Sequence, residues 1–371
     1  MVLAPALRVP KPSIARRSAV TRAYSSLPRP YRFHVGTSWE GKLQEPRLRF
    51  KGKPFAPETE IGQWRDASLA RHKVPAGSHI GEDFFFVQDM RNQSGLSFGV
   101  ADGVGGWVDS GVDPSLFSQA LMFHSQRYFK MAWAGEPEID PTQEYEEREQ
   151  VEGWELPPSE CMKLAYDGVL RERLVTAGSS TACLLTLNAS SGLLRAANLG
   201  DSGFSIIRSS KVLHHQSPQT HYFNCPKQLS KAPKSLFRGT IADSPQTADL
   251  FETQLRDGDL VIAYTDGLTD NVFPEEIAWI CAAVARQFAT LPSQSQNHSS
   301  DSPSNERLVQ STEDRMVQTM ANHLVDYAQK AMAMKNRVSP FERTAALEGL
   351  YWRGGKIDDV TVIVALVRET L

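Results

Sequence analysis

LSFGVADGVGGW, residues 96–107, is an apolar run that ends in an aspartate and a glycine-rich turn. The Leu, Phe and Val content predicts a β-strand over Leu96–Ala101. Asp102-Gly103 predicts its end, because Asp and Gly accept the backbone conformations that tight turns need. A carboxylate at the end of a strand stands on a rigid platform, and several such platforms can bring their side chains to one site.

The same arrangement recurs at three further places in the chain. Leu193–Leu199 leads into Gly200-Asp201-Ser202-Gly203, Leu260–Thr265 leads into Asp266-Gly267, and Asp358-Asp359 opens the run Val360–Val367. We expect Leu193–Leu199 and the following run, Phe204–Arg208, to form a β-hairpin, since Gly and Asp separate them.

Helical periodicity lies between these strands. Apolar residues recur at three- to four-residue spacing in Ser115–Lys130, Pro274–Ala289 and Arg315–Met334. Short strands and helices in separate blocks favour an α+β fold over a regular alternation of strand and helix.

The strand-end aspartates predict a metal site. A single Asp-Gly pair is ordinarily a surface turn, but four such signals in one chain point to a shared role. Carboxylate oxygens with no His or Cys nearby favour Mg²⁺ or Mn²⁺ over Zn²⁺. A bound cation would also offset the repulsion between clustered carboxylates.

Composition excludes several classes of protein. The 371 residues carry 40 Lys and Arg against 43 Asp and Glu, and this balance disfavours a dedicated nucleic-acid-binding protein. There is no run of 18 or more apolar residues, so no membrane span is expected. The four cysteines are widely spaced and fit neither a disulfide framework nor a zinc site. We expect a monomer.

The first 33 residues differ from the rest of the chain. They contain seven Arg and Lys residues, while the first acidic residue is Glu40. An Arg-rich, Ser-containing and acid-free segment is typical of a mitochondrial transit peptide, and Arg22-Ala23-Tyr24-Ser25 resembles a matrix cleavage signal. We therefore predict delivery to the mitochondrial matrix; the alternative is a disordered basic tail.

The remaining chain is predicted to be one domain. We place a single catalytic domain at residues 60–371. Residues 291–314 are rich in Ser, Gln and Asn and predict a disordered insertion in that domain.

Six short motifs follow one another along the chain: Gly81-Glu82-Asp83, Ala101–Gly106, Gly178–Ala182, Asn198–Ser202, Thr265-Asp266-Gly267 and Asp358–Thr361. In this order they resemble the protein phosphatase 2C family of metal-dependent Ser/Thr phosphatases. The resemblance covers roughly residues 75–368, and the phrases GVADGVGGW, AANLGDSGF, HYFNCPKQLSKAP and RGGKIDDVTV resemble the mitochondrial branch of the family. It implies a four-layer αββα sandwich, with two antiparallel sheets flanked by helices, and activity on phosphoserine and phosphothreonine in mitochondrial proteins.

The resemblance also assigns metal ligands. Asp102 would bridge two Mg²⁺ or Mn²⁺ ions, and the backbone carbonyl of Gly103 would ligate one of them. Asp266 and Asp358 would complete the coordination of one ion, and Asp83 would hold the other. Catalysis would act through the ions and water held by Asp102 and Asp266, with a hydroxide between the two ions attacking phosphorus.

Some positions differ from the family pattern or extend it. Asp201 and Asp270 match positions that hold a third ion in some members. Val104 replaces the histidine that many members carry after the Asp-Gly pair. No Arg directly precedes Glu82, which leaves His79 and Arg71 as weak candidates for phosphate binding.

The alternative function is a catalytically silent, phosphatase-like binding module. Silent members generally lose a metal ligand, whereas all the implied ligands are present in this chain.

Overall fold

The computed structural model describes residues 29–42, 54–70, 79–135, 155–233, 241–290 and 311–370. Most of the predicted leader, residues 1–28, and most of the predicted insertion, residues 291–310, lie outside the described residues. No described helix has both the length and the apolarity that crossing a membrane requires.

The elements are numbered in chain order. The strands are β1 Tyr31–Glu40, β2 Asp83–Asp89, β3 Gly95–Asp102, β4 Gly178–Ser180, β5 Ala182–Asn188, β6 Leu193–Leu199, β7 Gly203–Arg208, β8 Lys211–His215, β9 Thr220–Tyr222, β10 Cys225–Pro226, β11 Leu229–Lys231, β12 Asp249–Gln254, β13 Leu260–Tyr264 and β14 Val360–Glu369. The helices are α1 Glu60–Ala70, α2 Ser115–Met131, α3 Pro158–Arg171, α4 Asp266–Thr269, α5 Pro274–Ala289, α6 Thr312–Ala333 and α7 Pro340–Leu347.

Two five-stranded antiparallel sheets form the centre of the molecule. The first sheet has the order β12-β6-β5-β3-β2, and the second has the order β1-β14-β13-β7-β8. Strand β14 shows how the second sheet divides the core. Ile363, Ala365 and Val367 pack toward the first sheet, while Val362 and Val364 belong to a separate cluster with the helices. This alternation follows from the two-residue period of a strand that is buried on both faces.

Helices cover the outer face of each sheet. Helix α2 packs on β2 and β3, and α3 packs on β5 and β6. On the other side, α6 packs on β1 and β14, and α5 packs against α6 and β8. The predicted four-layer αββα sandwich is therefore confirmed, and the helix predicted at Pro274–Ala289 has those bounds in the structure.

The predicted hairpin of β6 and β7 is wrong. Strand β6 pairs with β5 and β12 in the first sheet, whereas β7 pairs with β13 and β8 in the second. The turn between them carries the chain from one sheet to the other. Gly200 at this crossing has φ +105°, and a Cβ there would lie 2.7 Å from the Lys227 carbonyl oxygen. Hairpins and crossings need similar turn residues, so the sequence alone did not separate them.

The sheet begins before the predicted boundaries at residues 33 and 60. Strand β1 pairs with β14 along its whole length, from Tyr31 opposite Glu369 to Glu40 opposite Val360. At the end of the predicted insertion, the Ser311 hydroxyl accepts a hydrogen bond from the Asp314 backbone N–H at 3.0 Å. Ser311–Asp314 thus begins α6 with a capping box rather than closing a loop.

Candidate metal centre

Four adjacent strands of the second sheet each place one charged residue at the same end of the sheet. Strands β1, β14, β13 and β7 are neighbours in that order. The residue two positions beyond the end of each strand is charged. In the same order of strands, these residues are Lys42, Asp358, Asp266 and Asp201. Because neighbouring strands are antiparallel, the end of one lies beside the start of the next. Residues that are far apart in sequence therefore form one row.

The first sheet faces this row with two carboxylates of its own. Asp83 opens β2 and Asp102 closes β3, and the two residues are directly opposite each other in the register. Carboxylate oxygens of Asp102, Asp201 and Asp266 all lie within 4.8 Å of one another. The structure thus brings Asp102, Asp266 and Asp358 together around a cavity of about 210 Å³, while Asp83 is fully buried and is absent from the cavity lining. Its lining includes Lys42, Glu82, Asp102, Gly103, Val104, Asp201, Asn224, Asp266, Lys356 and Asp358.

Three buried carboxylate oxygens at this site have no hydrogen-bond partner among the described residues: Asp83 Oδ1, Asp201 Oδ1 and Asp266 Oδ1. Burial, together with the neighbouring Asp266 and Asp83 charges, raises the pKa of Asp102 well above its usual range. Burial and the Asp359 charge do the same to the pKa of Asp83. Divalent cations favour such hard oxygen donors and would hold them ionised. The residues therefore fit Mg²⁺ or Mn²⁺.

Threonines hold the carboxylate of Asp83 and the backbone of Asp102. Thr265 Oγ1 donates to Asp83 Oδ2 at 2.7 Å and accepts from the Thr361 backbone N–H at 3.0 Å. Thr181 Oγ1 accepts from the Asp102 backbone N–H at 3.0 Å, and the Thr181 N–H donates back to the Asp102 carbonyl. Thr265 thus links a ligand of one sheet to the backbone of the other.

Gly103 occupies a position with no room for a side chain. A Cβ there would lie 2.7 Å from the carbonyl oxygens of both Glu82 and Pro114. The glycine lets the chain turn directly after Asp102 at this close approach. The next residue, Val104, is half-buried at the cavity wall and has no side-chain proton to donate.

Two lysines complete the site. Lys42 Nζ lies 2.9 Å from Glu82 Oε2 and 3.0 Å from Asp358 Oδ1. Lys356 Nζ lies 2.6 Å from Asp266 Oδ2, 2.7 Å from Asp270 Oδ2 and 3.1 Å from Asp358 Oδ2. Burial opposes ionisation of Asp358, but the two ammonium groups outweigh it and lower the pKa of that carboxyl.

The sequence interpretation missed both lysines. Lys42 is separated from Glu82 by 40 positions, and only the pairing of β1 with β14 brings it to the site. Lys356 stands two residues before Asp358, so the motif RGGKIDDVTV contained a signal that could have identified it.

The structure also shows where the other residues considered for phosphate and metal binding lie. Arg71 lies outside the described residues, while His79 is exposed and is absent from the cavity lining. Asp359 is buried and accepts from the backbone N–H groups of Lys42 and Glu82, each at 2.7 Å. Both of its oxygens therefore accept from the backbone, whereas Asp358 lines the cavity, where its oxygens contact the ammonium groups of Lys42 and Lys356.

Comparison with known proteins was made at the level of sequence and of structure. No protein-family profile matches the chain. It is 35% identical over 295 residues to the Protein phosphatase PTC7 homolog of Homo sapiens, covering 79% of this chain and 81% of the relative. It is 34% identical over 293 residues to the homologue of the same name from Xenopus laevis, covering 79% and 83%. Among solved structures, the photosystem II phosphatase PBCP matches with a TM-score of 0.56 and 25% identity, over 90% of this chain and 98% of that one.

Proposed function

Since the chain belongs to the protein phosphatase 2C family and is a metal-dependent protein serine/threonine phosphatase, we propose that its reaction takes place in the cavity lined by Asp102, Asp266 and Asp358. The observation that carries this assignment is the set of buried, partnerless oxygens on Asp83, Asp201 and Asp266. Leaving such groups buried without a partner is costly unless a ligand engages them.

We assign the ligands of two Mg²⁺ or Mn²⁺ ions as follows. Asp102 would contribute to both ions, assisted by the Gly103 carbonyl. Asp266 and Asp358, from the second sheet, would help to hold one ion, and Asp83, from the first sheet, would help to hold the other. When bound, such ions lower the pKa of a water molecule toward about 7 and offset negative charge on the phosphoryl oxygens.

Lys42 is our candidate for the phosphate anchor, in place of His79 and Arg71. Its ammonium group has three donors, and Glu82 and Asp358 accept two of them. The side chain is one-third exposed at the cavity, at 33%. The next carboxylate oxygen, Asp359 Oδ2, lies 3.7 Å from Nζ, beyond hydrogen-bonding distance. The third donor can therefore bind a phosphoryl oxygen, and Glu82 and Asp358 fix the direction of the ammonium group.

The test is hydrolysis of a phosphothreonine peptide in the presence of Mn²⁺. Wild-type protein should release phosphate, and Asp102→Ala should reduce the rate to background. Asp109→Ala is the matched control, because Asp109 is an exposed aspartate in the short 3-10 helix that follows β3. Equal rates in wild type and Asp102→Ala would contradict the assignment. Absence of turnover in wild type with metal present would favour the silent binding module.

We further propose that the phosphatase acts on mitochondrial proteins after import. The basic, acid-free composition of residues 1–33 supports this proposal, as does the resemblance to the mitochondrial branch. The import test should delete residues 2–28 only, because the Pro30 carbonyl accepts a hydrogen bond from the Thr370 backbone N–H at 2.6 Å. The truncated chain should remain in the cytosol with full activity. Mitochondrial delivery of the truncated chain would refute the proposal.

A further inference from the structure

Lys356 is fixed in place by its own backbone. The buried Asn271 side chain accepts a hydrogen bond from the Lys356 N–H through Oδ1 and donates to the Lys356 carbonyl through Nδ2, both at 2.9 Å. Asn271 Nδ2 also donates to the Gly267 carbonyl at 3.0 Å, next to the ligand Asp266. One buried amide therefore sets the distance between the lysine and the helix that carries Asp266 and Asp270.

The chain before Lys356 is held equally closely. A Cβ on Gly355 would lie 2.4 Å from the Met332 Cα, so this segment runs directly against the end of α6. The Ser339 hydroxyl donates to the Gly354 carbonyl at 2.8 Å, and the Gly354 N–H donates to Glu342 Oε2 at 2.7 Å. The position of Lys356 is thus built into the fold on both sides of the residue.

The ammonium group uses all of its donors on three aspartates. Its distances of 2.6 Å to Asp266 and 2.7 Å to Asp270 are those of short, charge-assisted hydrogen bonds, and Asp358 follows at 3.1 Å. The side chain is only 14% exposed, and Nζ lies 5.2 Å from the centroid of the Phe341 ring. A lysine in this environment acts as a permanent monovalent cation inside the site.

The contact with Lys356 distinguishes Asp270 from Asp201, the other residue that matches a third-metal position. Asp201 lies in the cluster with Asp102 and Asp266 and keeps an oxygen without a partner. Asp270 instead directs Oδ2 at Lys356. Asp266 also contacts the lysine through Oδ2, but it lines the cavity and keeps Oδ1 without a partner for an ion. Asp270 is absent from the cavity lining, so a divalent ion bound to it would face the positive charge of the ammonium group at close range.

We propose that the Lys356 ammonium group takes the place of a third divalent ion at Asp270, so that this phosphatase binds two ions. This inference rests on the proposed metal site. It leaves Asp201 beside Asp102 and Asp266 and gives Asp270 a different function, that of holding the lysine. The lysine places one positive charge in contact with Asp266, Asp270 and Asp358.

The experiment is a Mn²⁺ titration of the metal-free full-length chain by isothermal calorimetry, with equilibrium dialysis as an independent count. Wild type should bind two ions. Lys356→Met, which has a similar length and no charge, should bind two and gain a third, weaker ion. The double variant Lys356→Met with Asp270→Asn should return to two. Lys335→Met is the control for loss of an exposed lysine close to Gly355, and it should bind two.

Two results would overturn the inference: a wild-type stoichiometry other than two, or a Lys356→Met protein that folds and still binds two. Thermal unfolding identifies a variant that has not folded; Lys356→Gln then serves as a second neutral variant. No substrate is present in these titrations, so their outcome is independent of turnover. A wild type that binds two ions but hydrolyses no phosphopeptide would refute the phosphatase mechanism and leave the lysine inference intact.

Discussion

The hydroxyl of Thr265 provides a direct test of how the two sheets share the metal site. Thr265 precedes α4, but its hydroxyl does not cap that helix. It donates to Asp83 Oδ2 and accepts from the Thr361 N–H. Thr265→Val removes both hydrogen bonds and preserves the branched shape of the side chain, so packing changes little.

The magnitude follows from these two contacts. In the metal-free protein, losing a hydrogen bond and leaving the buried Thr361 N–H without a partner should together lower the free energy of unfolding by about 2–3 kcal/mol. Metal binding requires an ionised Asp83, whose hydrogen bond from Thr265 is then charge-assisted and stronger. The loss should therefore be larger with metal bound, and Mn²⁺ affinity should fall by about 10–100-fold.

Urea unfolding with EDTA and with Mn²⁺, combined with calorimetric Mn²⁺ titration, measures both effects. Thr265→Ser is the matched control: it keeps the hydroxyl and loses one methyl group, at a cost of about 1 kcal/mol. Its Mn²⁺ affinity should stay close to that of wild type. If the Val and Ser variants bound Mn²⁺ equally well, the hydroxyl would have no part in orienting Asp83 and the reasoning would be refuted.

Three further predictions follow from the site. Lys42→Met should raise the KM for a phosphopeptide about 10–100-fold, because it removes a charge-assisted hydrogen bond to the phosphoryl group. Lys42→Arg should retain most of the affinity for the phosphopeptide. An unchanged KM in the Met variant would exclude Lys42 as the phosphate anchor. Burial and the Asp266 charge raise the pKa of Asp270 from 3.8 to about 7 despite the opposing effect of Lys356. The folded state therefore holds this proton more tightly than the unfolded chain, and the resulting stability is lost as the pH rises through about 7. The melting temperature with EDTA should accordingly fall between about pH 4 and pH 7 in a fluorimetric melting series; a melting temperature that stays constant over this range would argue against the raised pKa of Asp270. Gly267→Ala should destabilise the fold by about 1–3 kcal/mol in urea unfolding, because the new Cβ would lie 1.9 Å from the Asp359 carbonyl oxygen; wild-type stability would show that the backbone can yield there.

The strand ends could be predicted from the sequence because their signals are local. Alternating apolar residues followed by Asp and Gly describe both a strand and the turn that ends it. This pattern located Asp102 at the end of β3, as the structure has it, and Asp266 two residues beyond β13, where it begins α4. The metal chemistry followed from residue type alone, since carboxylates without His or Cys favour Mg²⁺ or Mn²⁺.

The pairing of strands could not be predicted in the same way. The turn at Asp201 has the residues of a hairpin, but β6 and β7 each gain more by pairing within a different sheet. The role of Lys42 depends on the register of β1 against β14, which joins residues more than 300 positions apart. Such long-range pairing is decided by the whole core and leaves no local signal.

The division of ligands between the two sheets has a consequence for the order in which the protein assembles. Asp83 and Asp102 belong to one sheet, whereas Asp201, Asp266 and Asp358 project from the other. A folding intermediate with a single finished sheet has an incomplete set of ligands and should bind the ions weakly. Metal binding then stabilises only chains whose two sheets have docked correctly, and the bound ions link one sheet to the other. In a cell, the supply of free metal would thereby set the lifetime of the mature enzyme as well as its turnover.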